Sequence, residues 1–269
     1  MNNLDYRVLW IHGIGPYSAG YSILWETIFN SYLNFPASDY LEVLWSTVFT
    51  GPTRIPVAPQ EQLAAENLRK VLTTPLLARA TAQLPASAVL LGDRLSLPGV
   101  NPLQQATLPE WLLNPDTFIG EFTKYLVSRR IRNAVKEKMK EKLRPLANSG
   151  DDISVIAHSW GTVVAYESLI DLEVELPTFK LTNLFTLGSP LWMVHLLLDD
   201  RSGRKPANTG RWVNIHALGD PIGAGLRPGF QVDKDLAVPS FGNDPHESYL
   251  VAGNVAVQRD IVKATILAA

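Results

Sequence analysis

Five short runs of almost continuously apolar residues set the strongest limit on how this chain can fold. They are Arg7–Ile11, Leu41–Val48, Ile153–Ala157, Leu181–Leu187 and Trp212–Ala217. A strand with one face in water alternates apolar and polar residues, whereas a strand covered on both faces reads as an unbroken apolar run. Runs of the second kind, interleaved with helices, predict an α/β fold: a mainly parallel sheet with helices on both faces. Helical periodicity or caps mark Tyr21–Leu33, a stretch from about 117 to 144, the segment after Ser159 to about Leu172, and Ser248–Leu267. Asn114-Pro115-Asp116 opens the second of these with a capping side chain and a proline at the first helical position.

With 269 residues, 46% of them hydrophobic, the chain can build one large core, so residues 1–269 are read as a single domain. Residues 52–113 depart from the pattern. They are rich in proline, small residues and leucine, with helix-like spacing only over Gln60–Leu77 through Leu63, Leu68, Val71 and Leu72. This segment is expected to be a helical cap inserted over the sheet. Its apolar residues, among them Leu76, Leu77, Leu84, Leu90 and Leu95, suit either a mobile lid or a buried structural subdomain, and a lid implies a hydrophobic substrate.

Composition excludes several classes. The net charge of -2 gives no reason to expect a nucleic-acid partner. The absence of cysteine excludes disulfides, thiolate metal sites and cysteine catalysis. No apolar stretch approaches the ~20 residues of a membrane span. The amino terminus lacks a basic region followed by an apolar one, so a cytoplasmic protein is expected. No histidine–carboxylate cluster has metal-ligand spacing and no glycine-rich phosphate loop precedes a helix, so no metal and no cofactor are expected. The 117–144 stretch carries Arg129, Arg130, Arg132, Lys136, Lys138, Lys140, Lys142 and Arg144. With its apolar stripe it reads either as a sheet-packing helix with a solvated basic face or as a helix lying on an anionic membrane.

The chemistry concentrates around Ser159. Residues 153–165 run from an apolar strand through Ala157-His-Ser159-Trp-Gly161 into an apolar helix. A serine on such a strand-to-helix turn holds strained backbone angles and needs small residues two before and two after it. A serine hydroxyl is a weak nucleophile unless a base accepts its proton, an anion orients the base, and donors stabilise the oxyanion. Downstream lie His195, His216 and His246. His216 falls inside an apolar strand and His195 inside an apolar run, where packing roles are expected. His246, in a turn-rich loop before the last helix, is placed for a base. Asp220, between Gly219 and Pro221 at a strand end, is the candidate acid. Asp199 and Asp200 compete for that role but sit with Arg201 and Arg204 in a polar loop. The amide of Trp160 and that of Gly13 or Ile14, after the first strand, are the candidate oxyanion donors. Trp160 and Trp192 are the candidate substrate-lining side chains.

These motifs resemble the α/β-hydrolase superfamily and, within it, the lipase-like serine esterases. Leu9-Trp-Ile-His-Gly-Ile-Gly15 is similar to the oxyanion loop, and Ala157–Gly161 to the nucleophile elbow. Phe185-Thr-Leu-Gly-Ser-Pro190 is similar to a strand end of the class 3 lipases and of the lipases related to inositol deacylases. The likeness spans about 1–48 and 114–269. It departs from the family at Ala157, where glycine is usual, and in the spacing of 26 residues from Asp220 to His246, which leaves little room for a last strand. The resemblance implies hydrolysis of a carboxylic ester, with a small-molecule ester or lipid as substrate, through an acyl-enzyme. An acyltransferase, a thioesterase, or a non-catalytic binding protein on the same fold are the alternatives. Oligomeric state stays open.

Overall fold

A computed structural model of the chain describes residues 6–15, 17–36, 39–50, 52, 54–82, 115–242 and 244–268. Six parallel strands form one sheet in the order β2-β1-β3-β4-β5-β6. They are β1 (Tyr6–Ile11), β2 (Tyr40–Val43), β3 (Asp152–His158), β4 (Leu181–Leu187), β5 (Thr209–Ala217) and β6 (Lys234–Val238). The helices are α1 (Ser22–Leu33), α2 (Pro59–Ala82), α3 (Pro115–Val127), α4 (Arg129–Leu143) and α5 (Gly161–Glu175). A short helix, Leu191–Val194, follows β4, and a π-helical stretch, Ala256–Lys263, runs into a last turn, Ala264–Ile266. The chain is thus an α/β protein with an all-parallel sheet.

The side-chain alternation of the strands divides the core in two. Leu9, Ile11, Val155, Ala157, Leu184 and Trp212 point to the face packed by α4 and α5. Val8, Trp10, Ile156, Phe185, Val213 and Ile215 point to the face packed by α1 and the C-terminal helical segment. Both faces are apolar because both are covered, which is why the strands read as unbroken runs.

Strand order places the site. From β1 the chain crosses to β2 on one side, then returns to β3 on the other, so the carboxyl ends of β1 and β3 flank a topological switch point. Such a crevice is where open parallel sheets receive ligands. Ile11 at the end of β1 pairs with Ala157 near the end of β3.

Several expectations need correction. The Leu41–Val48 run is strand only to Val43; Ser46–Val48 form a 3-10 turn. Trp45 there turns inward and its indole N–H donates to the carbonyl of His12 at 2.9 Å. The 117–144 stretch is two helices, broken at Ser128. That residue is extended (φ -104, ψ 106) and its side chain accepts from the amide of Ile131, capping α4. The expected apolar stripe survives the break: Ile131, Val135, Met139 and Leu143 are fully buried. The C-terminal helix begins only at Ala256, beyond Gly253, whose φ of 89 is left-handed. The stretch between Asp220 and His246 does hold a strand. This is β6, an edge strand whose half-exposed residues gave no apolar run.

The basic side chains of α4 are not all solvated. Arg132, Lys136 and Lys140 are buried. Arg132 pairs with Glu167 and Asp199, Lys136 with Asp171 and Asp199, and Lys140 with Asp171 and Glu175. These cations pin α4 to α5 rather than forming a free basic face. Among the described residues no helix is long and apolar enough to cross a membrane.

Of the expected insertion, α2 falls within the described residues, while 83–114 lie outside them. Ala65, Leu72 and Leu76 of α2 are buried, but Leu63 and Val71 face outward at 61% and 65% exposure. Of the four residues that marked this spacing, Leu72 is buried and Leu68 packs against the core, while Leu63 and Val71 do not. The helix packs on α3, and Leu72 and Leu76 join the main core.

Candidate active site

Five of the six strand ends on one edge of the sheet, those of β1, β3, β4, β5 and β6, lead into Gly13, Ser159, Trp192, Asp220 and His246. Ser159 follows β3 directly and has φ 54, in the left-handed region that non-glycine residues avoid. Its backbone is pinned on both sides. Its amide donates to Leu187 at the end of β4 (2.9 Å), and its carbonyl accepts from the amide and hydroxyl of Thr162 (3.0 and 2.6 Å). Two glycines make room for it. A Cβ on Gly13 would come within 2.7 Å of the Ser159 Cβ, and one on Gly161 within 2.3 Å of the His12 carbonyl. Ala157 sits fully buried inside β3, and the turn holds its left-handed angle with the alanine methyl in place.

Ser159, His246 and Asp220 form a continuous hydrogen-bonded relay. His246 Nε2 lies 2.8 Å from Ser159 Oγ. His246 Nδ1 lies 3.0 Å from each oxygen of Asp220. An ionised carboxylate only accepts, so Nδ1 carries the proton and Nε2 offers its lone pair to the serine hydroxyl. All three side chains are buried. Burial raises the pKa of Asp220, but the charge and hydrogen bond of His246 outweigh it and hold the carboxyl well below its usual range. Burial lowers the pKa of His246, and the Asp220 carboxylate overcomes it, leaving the ring above 6.5.

Asp220 has further anchors. Its Oδ1 accepts from the amide of Ile222 at 2.8 Å, and its Oδ2 from the hydroxyl of Tyr249 at 2.6 Å. Arg79, from α2, donates through Nη2 to the carbonyls of Asp220 (3.2 Å) and Gly223 (3.3 Å). Its guanidinium lies 4.7 Å from the ring centre of Trp192. The Trp192 indole in turn donates to the Ile222 carbonyl at 2.7 Å. Three carbonyls of the acid loop are thus held by two side chains.

Two other histidines serve this architecture. His158 Nε2 donates to the His246 carbonyl at 2.9 Å, tying the end of β3 to the base loop. Burial pushes its pKa down. His12 is sandwiched between Trp45 and Tyr17, and burial lowers its pKa to about 3. Its Nδ1 donates to the Gly13 carbonyl at 2.6 Å. Because a trans peptide points its N–H opposite to its carbonyl, this contact turns the Ile14 amide away from the imidazole. The Trp160 amide stands at the positive amino end of the 15-residue helix α5, where negative charge is favoured.

The structure brings Ser159, His246, Asp220, Gly13 and the Trp160 backbone together. His195 instead packs on Phe230, ring centres 4.5 Å apart, and His216 lies beside Asp235. Asp199 pairs with Arg132 and Asp200 with Arg204. The Trp160 side chain is fully buried against Phe122, whereas Trp192 is only partly buried. Sequence reasoning missed Tyr249, Arg79 and the His158 contact. Tyr249 left one signal, its place three residues after the candidate base.

Ligand atoms of His158, His246 and Glu247 lie within 4.8 Å of one another. Both ring nitrogens of His246 already face Ser159 and Asp220, and His158 Nε2 faces a carbonyl. The remaining His158 nitrogen and one carboxylate fall short of the four ligands usual for structural zinc. A cleft of about 460 Å³, lined by Lys180 and Arg211, lies at the opposite edge of the sheet and touches none of the relay.

No family model and no curated protein matches the chain. Among solved structures it is similar to that of an uncharacterized protein from Pseudomonas aeruginosa, with 12% identity and a TM-score of 0.36, over 98% of this chain and 46% of that one. The chain therefore spans less than half the length of that protein.

Proposed function

We propose that this chain is a serine hydrolase of the α/β-hydrolase type, cleaving a carboxylic ester through an acyl-enzyme. The observation that carries the reading is the relay from Ser159 Oγ through His246 to Asp220, with spacings of 2.8 and 3.0 Å, on a serine with φ 54. A buried serine, histidine and aspartate in hydrogen-bond sequence meet the geometric requirement for an activated nucleophile.

In the proposed cycle His246 Nε2 takes the Ser159 proton as Oγ bonds to the ester carbonyl carbon. Asp220 stabilises the imidazolium. The oxyanion rests on the Trp160 amide and that of Gly13 or Ile14. The tetrahedral species then collapses: the ester C–O bond breaks and His246 returns the proton to the departing alkoxide. A water attacks the acyl-serine, giving its proton to His246, and release of the acid restores the Ser159 hydroxyl.

An apolar substrate is supported by the rim. Leu218 and Phe241 follow the carboxyl ends of β5 and β6, the edge that carries Ser159, and stand exposed at 61% and 41%. Turnover of p-nitrophenyl esters of graded acyl length, quenched in acid and examined by peptide mass spectrometry, tests the reading. An acyl adduct on the Ser159 peptide is expected, and turnover without any adduct there would count against it.

A further inference from the structure

Tyr249 is buried with its hydroxyl between two fixed partners. It lies 2.7 Å from the amide nitrogen of Ala217, at the end of β5, and 2.6 Å from Asp220 Oδ2. The amide can only donate, so the hydroxyl accepts there. Its single proton is therefore committed to the carboxylate, which can only accept. A hydroxyl that would otherwise rotate is locked as a donor to the acid. Gly188 leaves the room that this pair occupies: a Cβ there would lie 2.9 Å from Tyr249 Cε2 and 3.0 Å from Asp220 Oδ2.

The two oxygens of Asp220 are matched in consequence. Oδ1 takes the Ile222 amide and Oδ2 takes Tyr249, and His246 Nδ1 sits 3.0 Å from both. Without the Tyr249 hydroxyl, Oδ2 keeps only His246 Nδ1, while Oδ1 keeps the Ile222 amide as well, and the match between the two oxygens is lost. Tyr249 also follows His246 by three residues in the same turn, so the base and the second donor to its acid are carried on one element.

We infer that Tyr249 is a positioning residue, holding the Asp220 carboxylate in register with the His246 ring. The inference rests on the reading of Ser159, His246 and Asp220 as a catalytic relay. The groups that bear on His246 are Asp220 from the β5 loop, His158 from the end of β3, and Asp244 and Glu247 from its own loop. Arg79 from α2 acts on Asp220 and Tyr249. In Tyr249→Phe only the hydroxyl is lost and these charges stay. The carboxylate then carries more unshared negative charge toward the imidazole, which favours the protonated ring.

The test is an NMR titration of His246 in wild type and Tyr249→Phe, together with the pH profile of reaction with a fluorophosphonate. The His246 midpoint is expected to rise by about half a unit, with the acid limb of the labelling profile moving the same way. The labelling rate on the plateau should fall about tenfold, in line with loss of a hydrogen bond to a charged group. Tyr249→3-fluorotyrosine, with a more acidic hydroxyl, should move the midpoint down, and it decides the matter if the phenylalanine variant does not fold. A lower melting temperature with an unmoved midpoint in these variants would make Tyr249 merely structural and overturn the inference. The titration needs no turnover, so the two readings fail separately. Wild type that never labels, with the midpoint shift present, removes the hydrolase reading alone.

Discussion

The carbonyl oxygen of His12 occupies the space where a side chain at residue 161 would begin, and a Cβ on Gly161 would stand 2.3 Å from it. This contact joins the end of β1 to the start of α5 and leaves no slack, because the same carbonyl accepts from the Trp45 indole at 2.9 Å. Gly161→Ala is therefore expected to cost about 2 kcal/mol or more in urea unfolding, through overpacking against backbone. Ala157→Gly, where the methyl already fits, should cost no more than about 1 kcal/mol.

Asp220→Asn should lower esterase turnover by about 10⁴-fold, because an amide in place of the carboxylate misorients the imidazole. Asp200→Asn should leave turnover within about twofold, since Asp200 is engaged with Arg204 near the surface. Steady-state kinetics on the two purified variants checks the pair, and the reverse order of effects would move the acid to the other loop.

The base must be neutral to accept a proton. Asp220 more than offsets burial and holds His246 above 6.5, so the acid limb of kcat/KM is expected to have its midpoint above that value. Stability runs the other way. A histidine whose folded pKa is raised contributes fully below its unfolded value, and loses that contribution as pH rises through the folded one. The unfolding penalty of His246→Gln should thus be larger below pH 6.5 than in alkaline buffer. Chemical denaturation across that range reads the difference directly.

Arg132 is the buried cation facing Glu167 and Asp199. It also donates to the carbonyls of Leu126 and Leu197, at 2.6 and 3.1 Å. Arg132→Ala leaves the buried Glu167 without this cation and is expected to cost about 3 kcal/mol in urea unfolding. Removing the more exposed Lys138 should cost under about 1 kcal/mol.

How much of this was legible in the sequence follows from which forces are local. Strands β1, β3, β4 and β5 were readable because both their faces are covered, so burial alone wrote them as apolar runs. Edge strand β6 was not, since Lys234 and Ala237 are exposed and only Val238 is buried. The break at Ser128 was missed because the apolar stripe runs through it, although a serine followed by a helix-compatible run is a capping signal. The grouping of Ser159, Asp220 and His246 was legible through their order and their turn-rich settings. Tyr249 and Arg79 were not, because their roles depend on where a hydroxyl and a guanidinium land in space, from a loop and an inserted helix whose docking no local pattern records.

The most direct measurement is covalent labelling of wild type and Ser159→Ala with a fluorescent fluorophosphonate, read on a gel and located by peptide mass spectrometry. The relay geometry predicts labelling of wild type on Ser159 and none of the alanine variant, with both folded by circular dichroism. Equal labelling of the two, or a folded wild type that stays unlabelled with and without detergent, would contradict an activated serine at this position.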